Sequence, residues 1–301
     1  MCENVLHPLH LQNLVRQWLL EDTSSFDFGG GVVGDRRCEF TIYMKSPGVL
    51  AGIPFVNAVF SELNLQVTWF QKEGDQLLPI TEVGKVCGPA KNLLLAERLA
   101  LNILSRASGI ATVATKMREI IRQTGWQGTL AGSRKTTPGF RMVEKYALMI
   151  GGVDTHRYDL SSMVMLKDNH ITLSGSIEEA IKKARQLCGF SLKIEVECRT
   201  LKEALQACQA NCDVVMLDNF DAEACKYAAL SVKLQYPNVL VEVSGGITSE
   251  NMQSYFSPWT DIVSSSTLVQ GYPTVDFSMK VTPTRDFEML HALDDLLKEV
   301  L

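Results

Sequence analysis

No stretch of the chain approaches the roughly 18 consecutive apolar residues that a membrane-spanning helix needs. The opening residues carry Glu3, Pro8 and Arg16 through an amphipathic stretch and so lack the apolar core of a secretory signal. There is no CxxC pair: the eight cysteines, Cys2, Cys38, Cys87, Cys188, Cys198, Cys208, Cys212 and Cys225, have no histidine nearby at metal-ligand spacing. Cys208 and Cys212, one helical turn apart, therefore read as buried thiols, and a reducing compartment is expected. There is no excess of positive charge either, since the formal net charge is -5. That argues against a nonspecific nucleic-acid coat and requires any phosphate site to be a local, focused one. The three consecutive glycines between Phe26 and Gly34 have no GxGxxG register, so this stretch reads as a flexible loop.

What is present describes an ordinary soluble enzyme. Hydrophobic residues make up 46% and charged residues 21%, which excludes a largely disordered chain. A length of 301 residues allows one or two domains. The expected location is cytoplasmic, with the nucleus as a second compartment.

Leu9, Leu11, Leu14, Val15 and Trp18 recur at helical spacing and predict a helix over residues 9–20. Residues 40–45 alternate as a half-buried strand, and further short strands are expected at 48–52, 66–70, 77–78 and 83–87, with a helix over 53–63. This is a layer of short antiparallel strands covered by helices. Pro89 then starts a long apolar-faced helix, Glu97-Arg98 falling on its polar side. Ser108-Gly109 is read as a break before a second helix over 110–123, and the domain change is placed there.

From Gly128 the pattern becomes short apolar strands alternating with helices: 129–131, 163–166, 192–198, 214–217, 239–243 and 261–263. Ser176 to Glu179 and Thr200 to Glu203 have the S/T-x-x-E form that caps a helix start. Repeated βα units with little spare loop favour a partial or complete α/β barrel. The run 277–281 is expected to return to the first domain, followed by a helix around 287–297.

Unusual polar residues fall at the carboxyl ends of these strands, the edge from which barrel sites are built. Lys167-Asp168-Asn169-His170 follows one strand, Glu195 and Glu197 alternate within the next, and Asp218-Asn219 and Ser244-Gly245-Gly246 follow two more. Ahead of them lies Gly132-Ser133-Arg134-Lys135-Thr136-Thr137-Pro138-Gly139, answered by Asp154-Thr155-His156-Arg157-Tyr158-Asp159. Arg134, Lys135, His156, Arg157 and Lys167 offer donors to several anionic oxygens. Glu197 and Asp218 supply hard oxygen ligands suited to sugar hydroxyls or Mg²⁺ beside a pyrophosphate. Ser244 to Ile247, ahead of a helix expected from Ser249 or Glu250, would present N–H groups and a positive helix end to a phosphate monoester, with Ser264-Ser265-Ser266 closing the cup. His170 reads as a backbone hydrogen-bond partner. No credible nucleophile assembly occurs among these groups.

The segments SRKTTPG at 133–139, EKYALMIGG at 144–152, THRYDLSSMVMLKDNH at 155–170, KIEVEC at 193–198, VMLDNF at 215–220 and EVSGGIT at 242–248 resemble the quinolinate phosphoribosyltransferase family. LLLAERLALNILSRASGIAT at 93–112 extends the likeness to nearly the whole chain. The resemblance implies an N-terminal α/β sandwich domain over residues 1–109, completed by about 277–301, and an incomplete seven-stranded α/β barrel over 110–276. It implies a reaction joining quinolinate to 5-phosphoribosyl-1-pyrophosphate with Mg²⁺, yielding nicotinate mononucleotide, pyrophosphate and carbon dioxide.

Residue by residue, the resemblance implies that Arg134, His156 and Arg157 hold the quinolinate carboxylates, joined by Arg98 from an adjacent subunit. Lys135 and Lys167 would lie where the diacid meets the phosphoribosyl donor. Glu197 and Asp218 would engage ribose or its metal, and Ser244, Gly245, Gly246, Ser264, Ser265 and Ser266 would surround the 5-phosphate. A homodimer is then the smallest active assembly, and the family also forms hexamers. Several members carry Gly at the position of Ser266, which would narrow the cup or add a donor here. A nicotinate phosphoribosyltransferase, a sugar-phosphate isomerase or aldolase with a lysine base, and a nonenzymatic metabolite sensor are the alternative readings. The excess of cationic groups fits two substrate carboxylates better than one.

Overall fold

A computed structural model describes residues 2–282; the helix expected around residues 287–297 lies outside them. The chain divides into two compact units, Met1–Ser108 with the chain from Thr274 onward, and Gly109–Pro273.

In the first unit, strands β1 (Arg37–Met44), β3 (Gln66–Trp69), β5 (Thr81–Pro89) and β12 (Phe277–Val281) form an antiparallel sheet in the order β12-β1-β5-β3. A separate two-stranded pair joins β2 (Gly48–Val49) to β4 (Gln76–Leu77). Helices α1 (Pro8–Asp22) and α3 (Ile53–Glu62) pack together, α3 also meets β3, and Phe55, Val56, Val59 and Phe60 of α3 are buried, as are Ile42 and Met44 of β1. Each such fully buried side chain stabilises the unit by about 1.5–3 kcal/mol.

Two local expectations are corrected here. The stretch read as a loop contains a short helix, α2 (Phe28–Val33), because the Asp27 carboxylate accepts the Gly30 N–H at 2.8 Å and caps its first turn. The break at Ser108-Gly109 does not occur: α4 (Ala90–Thr124) is one helix of 35 residues. Gly109 serves close approach instead, since a Cβ there would lie 2.3 Å from the Pro273 carbonyl oxygen. A glycine that reads as punctuation in sequence is here a packing surface.

The second unit is a six-stranded parallel sheet, β6 (Thr129–Ala131), β7 (Val164–Leu166), β8 (Ile194–Cys198), β9 (Val214–Asp218), β10 (Leu240–Ser244) and β11 (Ile262–Ser264), in the order β6-β11-β10-β9-β8-β7. The seventh barrel position is held at Asp154 by a single parallel bridge to Ala131. Between strands run α5 (Arg141–Ile150), α6 (Asp168–Ser174), α7 (Ile177–Cys188), α8 (Leu201–Gln209) and α9 (Ala222–Gln235). Ser176 accepts the Glu179 N–H at 3.1 Å, and Thr200 and Glu203 form a reciprocal capping box. Only a single 3₁₀ turn, Met252–Tyr255, follows the Ser-Gly-Gly loop, so the helix expected there and its positive end are absent. Among the described residues no helix is long and apolar enough to cross a membrane.

Candidate active site

The strand period of two decides what reaches the barrel mouth. In β8, Ile194, Val196 and Cys198 are buried on one face while Glu195 and Glu197 share the other. In β9 that second face carries Met216 and Asp218, in β10 Glu242 and Ser244, and in β11 Ser264. Asp218, Ser244 and Ser264 end their strands at the carboxyl edge, and Glu197 is the last residue but one of β8. Glu197, Asp218, Ser244 and Ser264 therefore line one cavity of about 600 Å³, while Glu195 and Glu242 lie one layer deeper.

The cationic wall comes from two loops and one strand end. After β6, the Ser133 Oγ accepts the Lys135 N–H at 3.2 Å, Thr137 N–H donates to the buried Glu144 carboxylate at 3.0 Å, and Arg141 donates to Thr136 Oγ1 at 2.9 Å. These bonds shape the loop while Arg134 and Lys135 stay exposed, and among the described residues neither forms an ion pair. After the Asp154 bridge, His156 adopts a left-handed backbone with φ 57°, its N–H held by Asp154 Oδ1 at 2.6 Å. The Lys145 ammonium of α5 donates to the carbonyls of Thr155 and Arg157, the second at 3.1 Å. Burial, then repulsion from Arg141, lowers the Lys145 pKa to about 8. Arg157 is held at Met163 O and Met165 Sδ, at 3.5 and 3.3 Å, and burial followed by the charge of Arg134 lowers its pKa.

Opposite lie the carboxylates. Lys167 is ion-paired with Glu197, and Asp218 accepts from Asn219 Nδ2 at 2.7 Å. Burial and then the neighbouring charge of Glu197 raise the Asp218 pKa. His170 stays outside the cavity, its Nδ1 accepting the Lys167 N–H at 3.1 Å at the start of α6. Gly245 and Gly246 turn the next loop at φ 102° and 62°, a region that favours glycine.

Of the residues the resemblance assigns to substrate or metal, Arg134, Lys135, His156, Arg157, Lys167, Glu197, Asp218, Ser244, Gly245, Gly246, Ser264 and Ser266 line this cavity, and Ser265 and Arg98 do not. Ser265 is turned away, buried, its hydroxyl donating to Ile247 O at 2.6 Å and bonded to Thr267 Oγ1 at 2.7 Å. Arg98 belongs to the first unit, exposed on α4. Ser133 and Asn219, named in the sequence only as neighbours of Arg134 and Asp218, also line the cavity, as do Met165, Met216, Thr248 and Thr267, which read there as strand or turn residues. A second cavity of about 670 Å³ lies around Arg185, Asp213 and Tyr236, but Arg185 and Asp213 neutralise each other at 2.6 Å. Its size exceeds that of the mouth, yet its charges converge on nothing.

Beneath the mouth, His156 Nε2 lies 3.2 Å from Glu242 Oε1 and 4.0 Å from Glu195 Oε2. These three are the one group of three or more His, Cys, Asp or Glu side chains among the described residues whose ligand atoms all lie within 4.8 Å of one another. No protein N–H or hydroxyl among those residues reaches either Glu195 oxygen, and burial, then the Glu242 charge, pushes the Glu195 pKa well above the carboxylate range.

The family model "Quinolinate phosphoribosyl transferase, C-terminal domain" matches residues 110–280, and its N-terminal counterpart matches residues 18–108. The chain is 49% identical over 288 residues, 96% of each sequence, to the rat protein named nicotinate-nucleotide pyrophosphorylase [carboxylating]. It is also 49% identical to the human protein of that name, over 92% of this chain and 93% of the relative. The solved structure of nicotinate-nucleotide pyrophosphorylase from Francisella tularensis superposes with a TM-score of 0.84 at 31% identity, covering 93% of this chain and 99% of that one. Both units and nearly every residue between them thus find their counterparts in one group of proteins, and the chain belongs to the quinolinate phosphoribosyl transferase family.

Proposed function

We propose that the chain transfers the phosphoribosyl group of 5-phosphoribosyl-1-pyrophosphate to quinolinate and decarboxylates the product, giving nicotinate mononucleotide, pyrophosphate and carbon dioxide. The observation that carries this reading is one cavity with a cationic wall of Arg134, Lys135, Arg157 and Lys167 facing the carboxylates of Glu197 and Asp218. A planar diacid fits the first, a sugar with its metal the second. The name carried by the rat and human relatives agrees with this assignment.

Nucleophilic attack by the pyridine nitrogen on the anomeric carbon forms the N-glycosidic bond as the C–O bond to pyrophosphate breaks. The reacting carbon gains cationic character, which a carboxylate at the Glu197–Asp218 rim stabilises; no side-chain nucleophile is required. Lys135 and Lys167 offset the charge gathering on the departing oxygens. Ribosylation must precede loss of carbon dioxide, because only the N-alkylated, cationic ring accepts the electron pair left at C2, which is then protonated. Ser244, Gly245, Gly246, Ser264 and Ser266 receive the 5-phosphate through hydroxyl and backbone donors.

Mg²⁺ fits the rim: Glu197 and Asp218 are hard oxygen donors at the carboxyl ends of adjacent strands and line one cavity. Those two residues would hold the ion, directly or through water, and when bound it would neutralise pyrophosphate oxygens. The same proposal takes Arg98 as the contribution of a neighbouring copy to the diacid site, making a homodimer the smallest complete assembly, with a hexamer as the larger form. It assigns Met1 to about Gly109, with the chain from 277 on, to the N-terminal domain and 110–276 to the transferase domain, and places the enzyme in the cytoplasm, with the nucleus as a second compartment.

The test is incubation with quinolinate, phosphoribosyl pyrophosphate and Mg²⁺, omitting each in turn. Nicotinate mononucleotide and carbon dioxide should form together, one to one, only in the complete mixture. Product from nicotinate in place of quinolinate at an equal rate, or binding of both substrates with no pyrophosphate released, would overturn the assignment.

A further inference from the structure

Both nitrogens of the His156 ring are committed within the chain. Nδ1 accepts the Arg157 backbone N–H at 2.7 Å, so it carries no proton, and the ring proton belongs on Nε2. Nε2 lies 3.2 Å from Glu242 Oε1, to which it donates. The imidazole side chain is only 8% exposed and the Glu242 side chain 2%. A ring in this state has no N–H left for a substrate carboxylate.

What the ring does hold is the backbone of Arg157. That backbone is part of a constrained segment: His156 sits at φ 57°, its N–H is fixed by Asp154, and Lys145 ties down the carbonyls on either side. Among the described residues the guanidinium that emerges from the segment donates only to a carbonyl and a thioether and forms no ion pair, although the charges of Glu195 and Glu242 reach it. Arg157 lines the mouth cavity and also a smaller one of about 280 Å³ that includes Glu242. The chain of contact therefore runs from Glu242 to the His156 ring, to the Arg157 backbone, to the Arg157 guanidinium.

From this geometry we infer that Glu242 is a positioning residue for the diacid: it anchors the His156 ring through Nε2, and the ring in turn aims Arg157 at a substrate carboxylate. The inference deepens the reading of the mouth as a quinolinate site and rests on it. Glu242 sits one layer below the reacting groups and never touches substrate.

The test compares Glu242→Leu, which removes the acceptor at similar volume, with Glu242→Gln, whose amide oxygen still accepts from Nε2. Both are measured in the intact enzyme alongside Arg157→Met and the double variant Glu242→Leu/Arg157→Met. Loss of a charge-assisted anchor should raise KM for quinolinate about tenfold or more in Glu242→Leu, with KM for phosphoribosyl pyrophosphate within about twofold of wild type. Glu242→Gln should stay within about threefold of wild type for both substrates. In the Arg157→Met background, Glu242→Leu should add less than about twofold, because the two act through one group.

An unchanged quinolinate KM in Glu242→Leu, an equal rise for both substrates, or multiplying effects in the double variant would each overturn the inference. If Glu242→Leu does not fold, ¹⁵N resonances of the wild-type His156 ring decide: Nδ1 unprotonated and Nε2 protonated supports it, and a protonated Nδ1 refutes it. Failure of the parent reading looks different, because the wild-type enzyme would then make no nicotinate mononucleotide at all.

Discussion

Replacing Gly245 and Gly246 singly by alanine separates backbone strain from steric collision within one loop. Both residues lie at positive φ, 102° and 62°, so each alanine incurs the left-handed penalty of about 1–2 kcal/mol. They differ in surroundings. A Cβ on Gly246 meets nothing within 4 Å, whereas one on Gly245 would sit 2.3 Å from Asn219 Oδ1 and 2.8 Å from the Asn219 backbone nitrogen. The amide group can rotate away, but the backbone nitrogen is fixed by its bond to Ser244 O at 3.0 Å. Gly245→Ala should therefore lose a further 1–3 kcal/mol or so from overpacking.

The collision also reaches function, since Asn219 Nδ2 donates to Asp218. A shift of roughly 1 Å in such a group can cost about a hundredfold in rate. Urea denaturation and steady-state kinetics on both variants provide the readout. Gly245→Ala should be the less stable by about 1–3 kcal/mol and lose at least about tenfold in kcat/KM for phosphoribosyl pyrophosphate, while Gly246→Ala keeps most of its activity. Equal damage in the two variants would refute the argument, and so would a Gly245→Ala enzyme with wild-type stability.

Lys135→Ala and Lys167→Ala should each lower kcat by about 10²–10³, as expected for removing one preorganised charge, with melting temperatures nearly unchanged; normal turnover at saturating substrates would remove both from the mechanism. Lys145, with its pKa lowered to about 8, gives a pH signature. Below about pH 8 the folded and unfolded chains both carry its proton, whereas between there and its ordinary value near 10.5 only the unfolded chain does. Stability from this group therefore rises with pH across that window, by up to about 1.4 kcal/mol per unit. The unfolding free energy of wild type minus that of Lys145→Met should grow from pH 8 to 10, and a flat difference would contradict the buried-ammonium picture. Gly109→Ala should destabilise by about 1–2 kcal/mol despite alanine's better helix propensity, because of the Pro273 carbonyl; a stabilised variant in thermal denaturation would show that contact to be soft.

The barrel strands and their polar ends were legible because alternation and strand-end position are local properties: Glu197, Asp218 and Ser244 reveal themselves by following apolar runs. The helix caps at Ser176 and Thr200 are local too. What escaped depends on partners far along the chain. Gly109 looked like a helix break since nothing near it in sequence announces Pro273. The three glycines masked the Asp27 cap of α2, composition outweighing a single hydrogen bond. Glu242 reads as one more strand residue until β8 and β10 are set around a common interior with His156 between them. Ser265 was grouped with its neighbours by identity, yet alternation sends its hydroxyl to Ile247.

The outer edge of β1 is covered by β12, a strand that arrives only after the entire Gly109–Pro273 unit has been made. During synthesis the parallel sheet can thus be finished while the antiparallel one still consists of β1, β5 and β3, with a row of bare amide and carbonyl groups along β1. Nascent chains stalled near Pro273 should for that reason be the form most prone to pair edge to edge with one another, and emergence of Phe277–Val281 from the ribosome is the event that ends the exposure.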